Sequence, residues 1–141
     1  MVKIRVRKNK IIENIELYEP PEDKIGVILT INDSEGSPWK GKEWFDEFKK
    51  NEEVVYDSHD IRFAYVGMKV YIYLTSKKSI VADAVIGSDE NNEFRLINLS
   101  LMSDPIHKDE LIELNILKTV PIVLKYLSKT DCEIIESLFE N

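Results

Sequence analysis

Met68-Lys-Val-Tyr-Ile-Tyr-Leu74 alternates along its length, and the short polar segment Thr75-Ser-Lys-Lys78 separates it from a second β-branched run, Ser79 to Ile86. Two period-two runs joined by so short a turn predict a β-hairpin. Few arrangements can accept a hairpin and also use what flanks it. Ile25-Gly-Val-Ile-Leu-Thr-Ile31 is apolar without alternation, which predicts a strand buried on both faces at the centre of a sheet. Phe94 to Leu101 alternates again after the polar loop Gly87–Asn92. Ile61 to Tyr65 predicts a short strand before the Val66-Gly67 turn, and Ile122 to Leu127 a closing one. Helical spacing predicts helices over 40–50, where Trp44, Phe45 and Phe48 share a face, and over 107–117, where Leu111, Ile112 and Leu114 are apolar. Thr130 with Glu133 reads as a capping box for a last helix over 131–139. Pro105 and Pro121 punctuate the second half. The expected class is α+β: a small, mixed or antiparallel β-barrel of five or six strands with short flanking helices.

Residues 1–10 carry Lys3, Arg5, Arg7, Lys8 and Lys10 without an acid, and residues 11–23 carry Glu13, Glu16, Glu19, Glu22 and Asp23 without a base. Opposite charges on successive strands predict a hairpin turning near Asn9 and ended by Pro20-Pro21. A basic arm followed by an acidic one is the alternative.

The chain of 141 residues is one domain's worth, and 43% hydrophobic residues suffice for a core without a staple. Cys132 is the sole cysteine, and His59 and His107 do not sit at ligand spacing from it, so no disulfide, metal or cofactor is expected. The basic and apolar start has no signal-peptide core, and no run reaches the ~20 apolar residues of a membrane span, so a cytoplasmic protein without membrane contact is expected. Eighteen isoleucines, many Lys and Glu and no glutamine fit a thermophile, and an AT-rich genome produces the same bias. The net charge of −7 excludes a general nucleic-acid coat, which needs basic surface to neutralise phosphates. Any nucleic-acid contact must be local.

Catalytic signatures are missing. Gly26, Gly36, Gly41, Gly67 and Gly87 are isolated and match no phosphate loop. Ser34, Ser37 and Ser76 have no nucleophile-elbow context. Asp57-Ser-His-Asp60 packs catalytic residue types together, but triads meet through space, so a polar turn is the expected reading. Asp83 interrupts an apolar strand, and its alternation with Ile80, Ala82 and Ala84 predicts an outward side chain. An enzyme is the least supported class.

From residue 25 to about 139 the chain resembles the EVE family, a branch of the PUA-like folds related to YTH domains. The resemblance rests on Ile25-Gly-Val-Ile-Leu-Thr-Ile-Asn32 with its polar exit, on Trp39 and Trp44 after it, and on Val66-Gly-Met-Lys-Val-Tyr-Ile-Tyr73, which is similar to the family's Gly-Asp-x-hydrophobic-x-Tyr strand. It rests also on Ser79–Ile86 and on the order of Pro105, Leu111–Lys118, Pro121–Leu127 and the terminal helix. Met68 stands where the family has Asp, and the first strand lacks its opening aromatic. Residues 1–24 lie outside the resemblance, as an added element.

The resemblance implies a non-catalytic reader that holds one nucleobase of DNA or RNA, modified or not, flipped out of its strand. On that implication Thr30 and Asn32 supply polar groups at a strand exit, Ser76 sits in the adjacent turn, and Trp39 is one wall. Trp44 or Tyr73 is the second wall, and Lys40, Lys42, Lys77 and Lys78 contact phosphate. The residues alone keep other readings open. Trp44 at helical spacing with Phe45 and Phe48 fits core packing, and strand tyrosines fit the core with their hydroxyls at the rim. The same pocket would also serve a nucleotide or small-molecule binder. The added N-terminal element would serve a homodimerising interaction module.

Overall fold

The computed structural model describes residues 2–8, 24–36, 40–57, 63–90, 93–119 and 124–140. In chain order they form β1 (Lys3–Arg5), β2 (Gly26–Ile31), α1 (Gly41–Asn51), β3 (Val54–Asp57), β4 (Lys69–Leu74), β5 (Ser79–Glu90), β6 (Glu93–His107), α2 (Lys108–Glu113), β7 (Leu124–Leu127) and α3 (Lys129–Ser137). The seven strands make one mixed sheet in the order β1-β6-β5-β4-β2-β7, and β3 also pairs with β6. β2 is parallel to β4 and β1 to β6, while the other pairings are antiparallel.

The α+β class holds, and the closed barrel is corrected. Among the described residues the sheet is open, because β7 pairs only with β2 while the short strands β1 and β3 both lie along β6. The β5–β6 hairpin is longer than its alternation suggested. Gly87 to Glu90 belong to β5 rather than to a loop, and β6 runs through Pro105 to His107. Three register shifts break this ladder, between Ile80 and Ala82, Asp83 and Val85, and Ile86 and Ser88. Bulges of that kind blur a period-two pattern and bend the strands. β3 was not foreseen, and Phe63 to Tyr65 are not strand. The last helix starts earlier than expected: Ser128 caps it, and Ser128 and Asp131 form the reciprocal capping box in place of Thr130 and Glu133.

Two cores lie on the two faces of the sheet. On one face Val27, Leu29, Ile31, Val70, Ile72 and Leu74 pack against Phe45 and Phe48 of α1. On the other Ile28, Tyr71, Tyr73 and Ile80 pack against Leu111 of α2 and Ile135 of α3. β2 feeds both cores, which explains its unbroken apolar run. No helix among the described residues is long and apolar enough to cross a membrane.

The acidic half of the expected N-terminal hairpin lies outside the described residues. The basic half is β1 and its continuation, and its described partners are distant in sequence. Arg5 donates to Asp83 Oδ2 at 3.0 Å, pairs with Glu136 and lies over the ring of Phe139. Arg7 pairs with Glu110 and with Asp104. The Lys8 amide donates to the Leu138 carbonyl and the Glu140 amide to that of Val6, so the first and last described segments are hydrogen-bonded together.

Asp83 is the clearest correction to the strand pattern. It is 1% exposed, not outward, because its side of β5 faces the space between β1 and α3. Its carboxylate accepts from Arg5 and, at 2.9 Å, from the Lys69 ammonium. Asp83→Ala removes the buried acceptor of two charged donors, which keep only Glu136 as a partner, and is expected to destabilise the fold by about 1.5–3 kcal/mol in urea unfolding. Glu136 sits beside them. Burial pushes its carboxyl up, but hydrogen bonds from Arg5 and Tyr71 and the Lys69 and Arg5 charges outweigh it and hold the group below the usual carboxylate range. A carboxyl lowered in the folded state stabilises above its unfolded pKa, about 4.3, and that stability is lost as pH falls through the folded value. Melting temperatures measured from pH 7 down to pH 3 should therefore fall less steeply in Glu136→Gln than in the wild type.

Candidate functional site

Because β2 and β4 are parallel, they end at the same edge of the sheet, and the segments leaving them meet there. Asn32 and Asp33 leave β2, and Thr75 to Lys78 turn out of β4. Asn32 Oδ1 accepts from the Ser34 amide and the Thr75 hydroxyl, both at 3.1 Å. Asp33 Oδ1 accepts from the Ser76 amide at 2.9 Å and lies 3.3 Å from the Thr75 hydroxyl, and Asp33 Oδ2 accepts from the Ser76 hydroxyl. The two exit segments are thus stitched together by side chains of the Asn-Asp-Ser sequence, whose residue types favour such local bonds.

α1 begins against the same place. A Cβ on Gly41 would lie 2.2 Å from the Asn32 carbonyl oxygen, so only glycine lets the helix start touch the strand exit. Between the helix start and the stitched loops lies a cleft of about 690 Å³. Asp33, Ser34, Ser76 and Lys77 line one side, Lys40, Lys42 and Lys49 line the other, and Phe45 and Leu74 also border it. Lys49 rides above the Phe45 ring at 5.2 Å and pairs with Asp46 at 3.3 Å. Four lysines at this cleft are matched by Asp33, Glu35, Glu43 and Asp46, so a basic patch is replaced by a balanced one.

The residues named from the sequence part company here. Ser76, Lys40, Lys42 and Lys77 line the cleft, and Asn32 builds its wall from behind. Lys78 takes a left-handed backbone conformation in the turn, and its carbonyl accepts from the Lys108 amide; it does not line the cleft. Thr30 is buried within β2, in register with Tyr73. Trp44 packs edge-on to Phe48 and Tyr56 and donates its indole N–H to the Val55 carbonyl at 3.1 Å, which fastens α1 to β3. Tyr73, 2% exposed, belongs to the core on the opposite face, where burial and then the Asp109 charge push its phenol up. Trp39 and the Ser58–Asp60 part of the Asp57-Ser-His-Asp60 cluster lie outside the described residues. Asp33, Phe45 and Lys49 were missed. The turn-forming types of Asn32-Asp33-Ser34 could have drawn attention to Asp33, while Phe45 and Lys49 reach the cleft only because of how α1 is set on the sheet.

A second hollow, of about 530 Å³, opens on the face covered by α3 and is lined by Arg5, Lys69, Asp83, Ser100 and Glu136. The charges of Arg5, Lys69, Asp83 and Glu136 are already paired with one another. The Tyr71 hydroxyl donates to Glu136 at 2.7 Å, and burial together with that bond holds the phenol far above its ordinary value, as a donor. Among the described residues no group of three His, Cys, Asp or Glu side chains could hold a metal ion.

No protein-family model matches the sequence, and no curated protein does. Solved structures do. The crystal structure of ASCH from Zymomonas mobilis matches 84% of this chain and 99% of its own, with a TM-score of 0.57 and 16% identity. A tyrosine-to-phenylalanine variant of that protein matches 82% of this chain and 99% of its own at 0.56 and 14%, and a serine-to-alanine variant 86% and 100% at 0.56 and 16%. At such identities the likeness is one of fold. ASCH domains, like EVE domains, have a PUA-like fold, so the expected fold is upheld at that level and the EVE family is not shown.

Gly41→Ala tests the joint between α1 and the strand exit. Its methyl group meets backbone rather than a flexible side chain, so the helix must move. The expected cost is about 1–3 kcal/mol, read as a lower urea midpoint at unchanged slope.

Proposed function

We propose that the protein is a nucleic-acid-binding domain that holds one nucleobase in the cleft between α1 and the β2 and β4 exits. The cleft itself carries the reading: a PUA-like fold opens it beside Ser76, Lys40, Lys42 and Lys77, four residues chosen for that role from the sequence. Phe45 and Leu74 give it apolar surface, and the lysines at its mouth suit phosphate. Trp39, between Gly36 and Lys40 in the chain, is proposed as the stacking wall. Binding rather than catalysis is the activity, in line with the EVE resemblance, and discrimination of a methylated base is its finer form.

The balance of four lysines and four acids favours one second reading, a free nucleotide as ligand. A long strand draws its affinity from many phosphate contacts, and a neutral cleft in a chain of net charge −7 offers few.

Fluorescence anisotropy with short single- and double-stranded DNA and RNA, with and without methylated bases, tests both. Binding of at least one class is expected. Trp39→Ala should weaken it by roughly 1–3 kcal/mol through lost stacking. Lys40→Ala with Lys77→Ala should weaken all sequences alike and flatten the salt dependence. Absence of binding to every oligonucleotide, with binding of free nucleotides, would select the second reading.

A further inference from the structure

The directions of the hydrogen bonds in the cleft wall are fixed by chemistry. A carboxylate has no proton to give, so Ser76 must donate its hydroxyl proton to Asp33. Oδ1 of Asp33 already receives the Ser76 amide and lies within reach of Thr75, while among the described residues Oδ2 receives only the Ser76 hydroxyl. Thr75 likewise spends its single proton on Asn32 or Asp33, which leaves its oxygen to accept from Ser34, 3.4 Å away. All three hydroxyl protons of this wall are turned inward. What Asp33 Oδ2 and Ser76 Oγ have left are lone pairs, side by side, in residues that both line the cleft.

We infer that this wall selects a base presenting two adjacent N–H donors, which among the common bases is guanine, through its ring N1–H and exocyclic amine. The inference rests on the base-binding reading of the same cleft and narrows it. Adenine and cytosine offer one amine beside a ring acceptor. Uracil offers one N–H between two carbonyl oxygens, which would face the lone pairs of the wall. A site whose acceptors are fixed before the ligand arrives rejects such edges strongly, because the mismatch leaves polar groups unpaired.

The test is titration calorimetry of the wild-type protein with the 5′-monophosphates of guanosine, inosine, adenosine, cytidine and uridine. Inosine differs from guanosine only by the missing exocyclic amine, so the pair isolates the second donor. Guanosine monophosphate is expected to bind about tenfold more tightly than inosine monophosphate, the worth of one hydrogen bond to a charged acceptor, with uridine monophosphate weakest. Ser76→Ala, at an exposed turn position, should bring the guanosine-to-inosine ratio towards one. Equal affinity for guanosine and inosine, or a preference for any other base, overturns the selection and leaves the base-binding reading standing. If no monophosphate and no oligonucleotide of any base binds, both fall.

Discussion

Parallel pairing of β2 with β4 holds the rest of the structure in place. Six residues of each strand are in register, from Gly26 beside Lys69 to Ile31 beside Leu74. Parallel neighbours need a crossover, and the chain supplies one containing α1 and β3. α1 leaves the same edge at which β2 and β4 both end, so its start, the Asn32-Asp33 exit and the Thr75–Lys78 turn meet there. The apolar face of α1 then covers the sheet with Phe45 and Phe48, and the core and the cleft arise from the same packing. Had β2 paired antiparallel to β4, Asp33 and Ser76 would stand at opposite ends of the sheet.

Charge does different work on the two faces. Behind the sheet, Asp83, Lys69, Arg5 and Glu136 pair with one another between β1, β4, β5 and α3. Asp83 and Arg5 are largely withdrawn from water, and their pairing favours one docking of the N-terminal strand, since a displaced Arg5 would leave buried carboxylate behind. At the cleft, the lysines are exposed on flexible stems, and Asp33 is bound into the loop. The first set is committed to structure, and the second places cationic groups at the rim of the cleft.

Much of the fold was legible because its strands are short-range neighbours. The β4–β5 hairpin, the doubly buried β2 and the face of α1 all follow from periodicity within a dozen residues. Features that depend on distant partners were not legible. Asp83 alternates like an outward residue, and nothing nearby in sequence says that Arg5 and Lys69 will neutralise it. β3 is short and pairs with β6 some forty residues on, so its pattern was too brief to register. At the cleft, Ser76 and Lys77 were readable as polar groups in a turn, and Lys40 and Lys42 as polar positions at the start of a helix. Tyr73 was misleading, because alternation places it on a face without saying which face holds the cleft. Turn chemistry could have signalled Asp33, but its hold on Ser76 exists only once β4 lies beside β2.

The hydrogen bonds joining Val6 and Lys8 to Leu138 and Glu140 have a kinetic consequence. They close a loop of nearly the whole described chain, whereas the β4–β5–β6 meander closes loops of a few residues. Contacts of such sequence separation are slow to find and are rewarded only after the segments between them are ordered. Contact order therefore favours the meander as the first part to form and the joined ends as the last. The reverse order is expected for opening, with β1 and the residues after α3 released before the cleft end of the sheet. Amide exchange at Lys8 and Glu140 would report that partial opening, distinct from the global unfolding seen by the amides of β4.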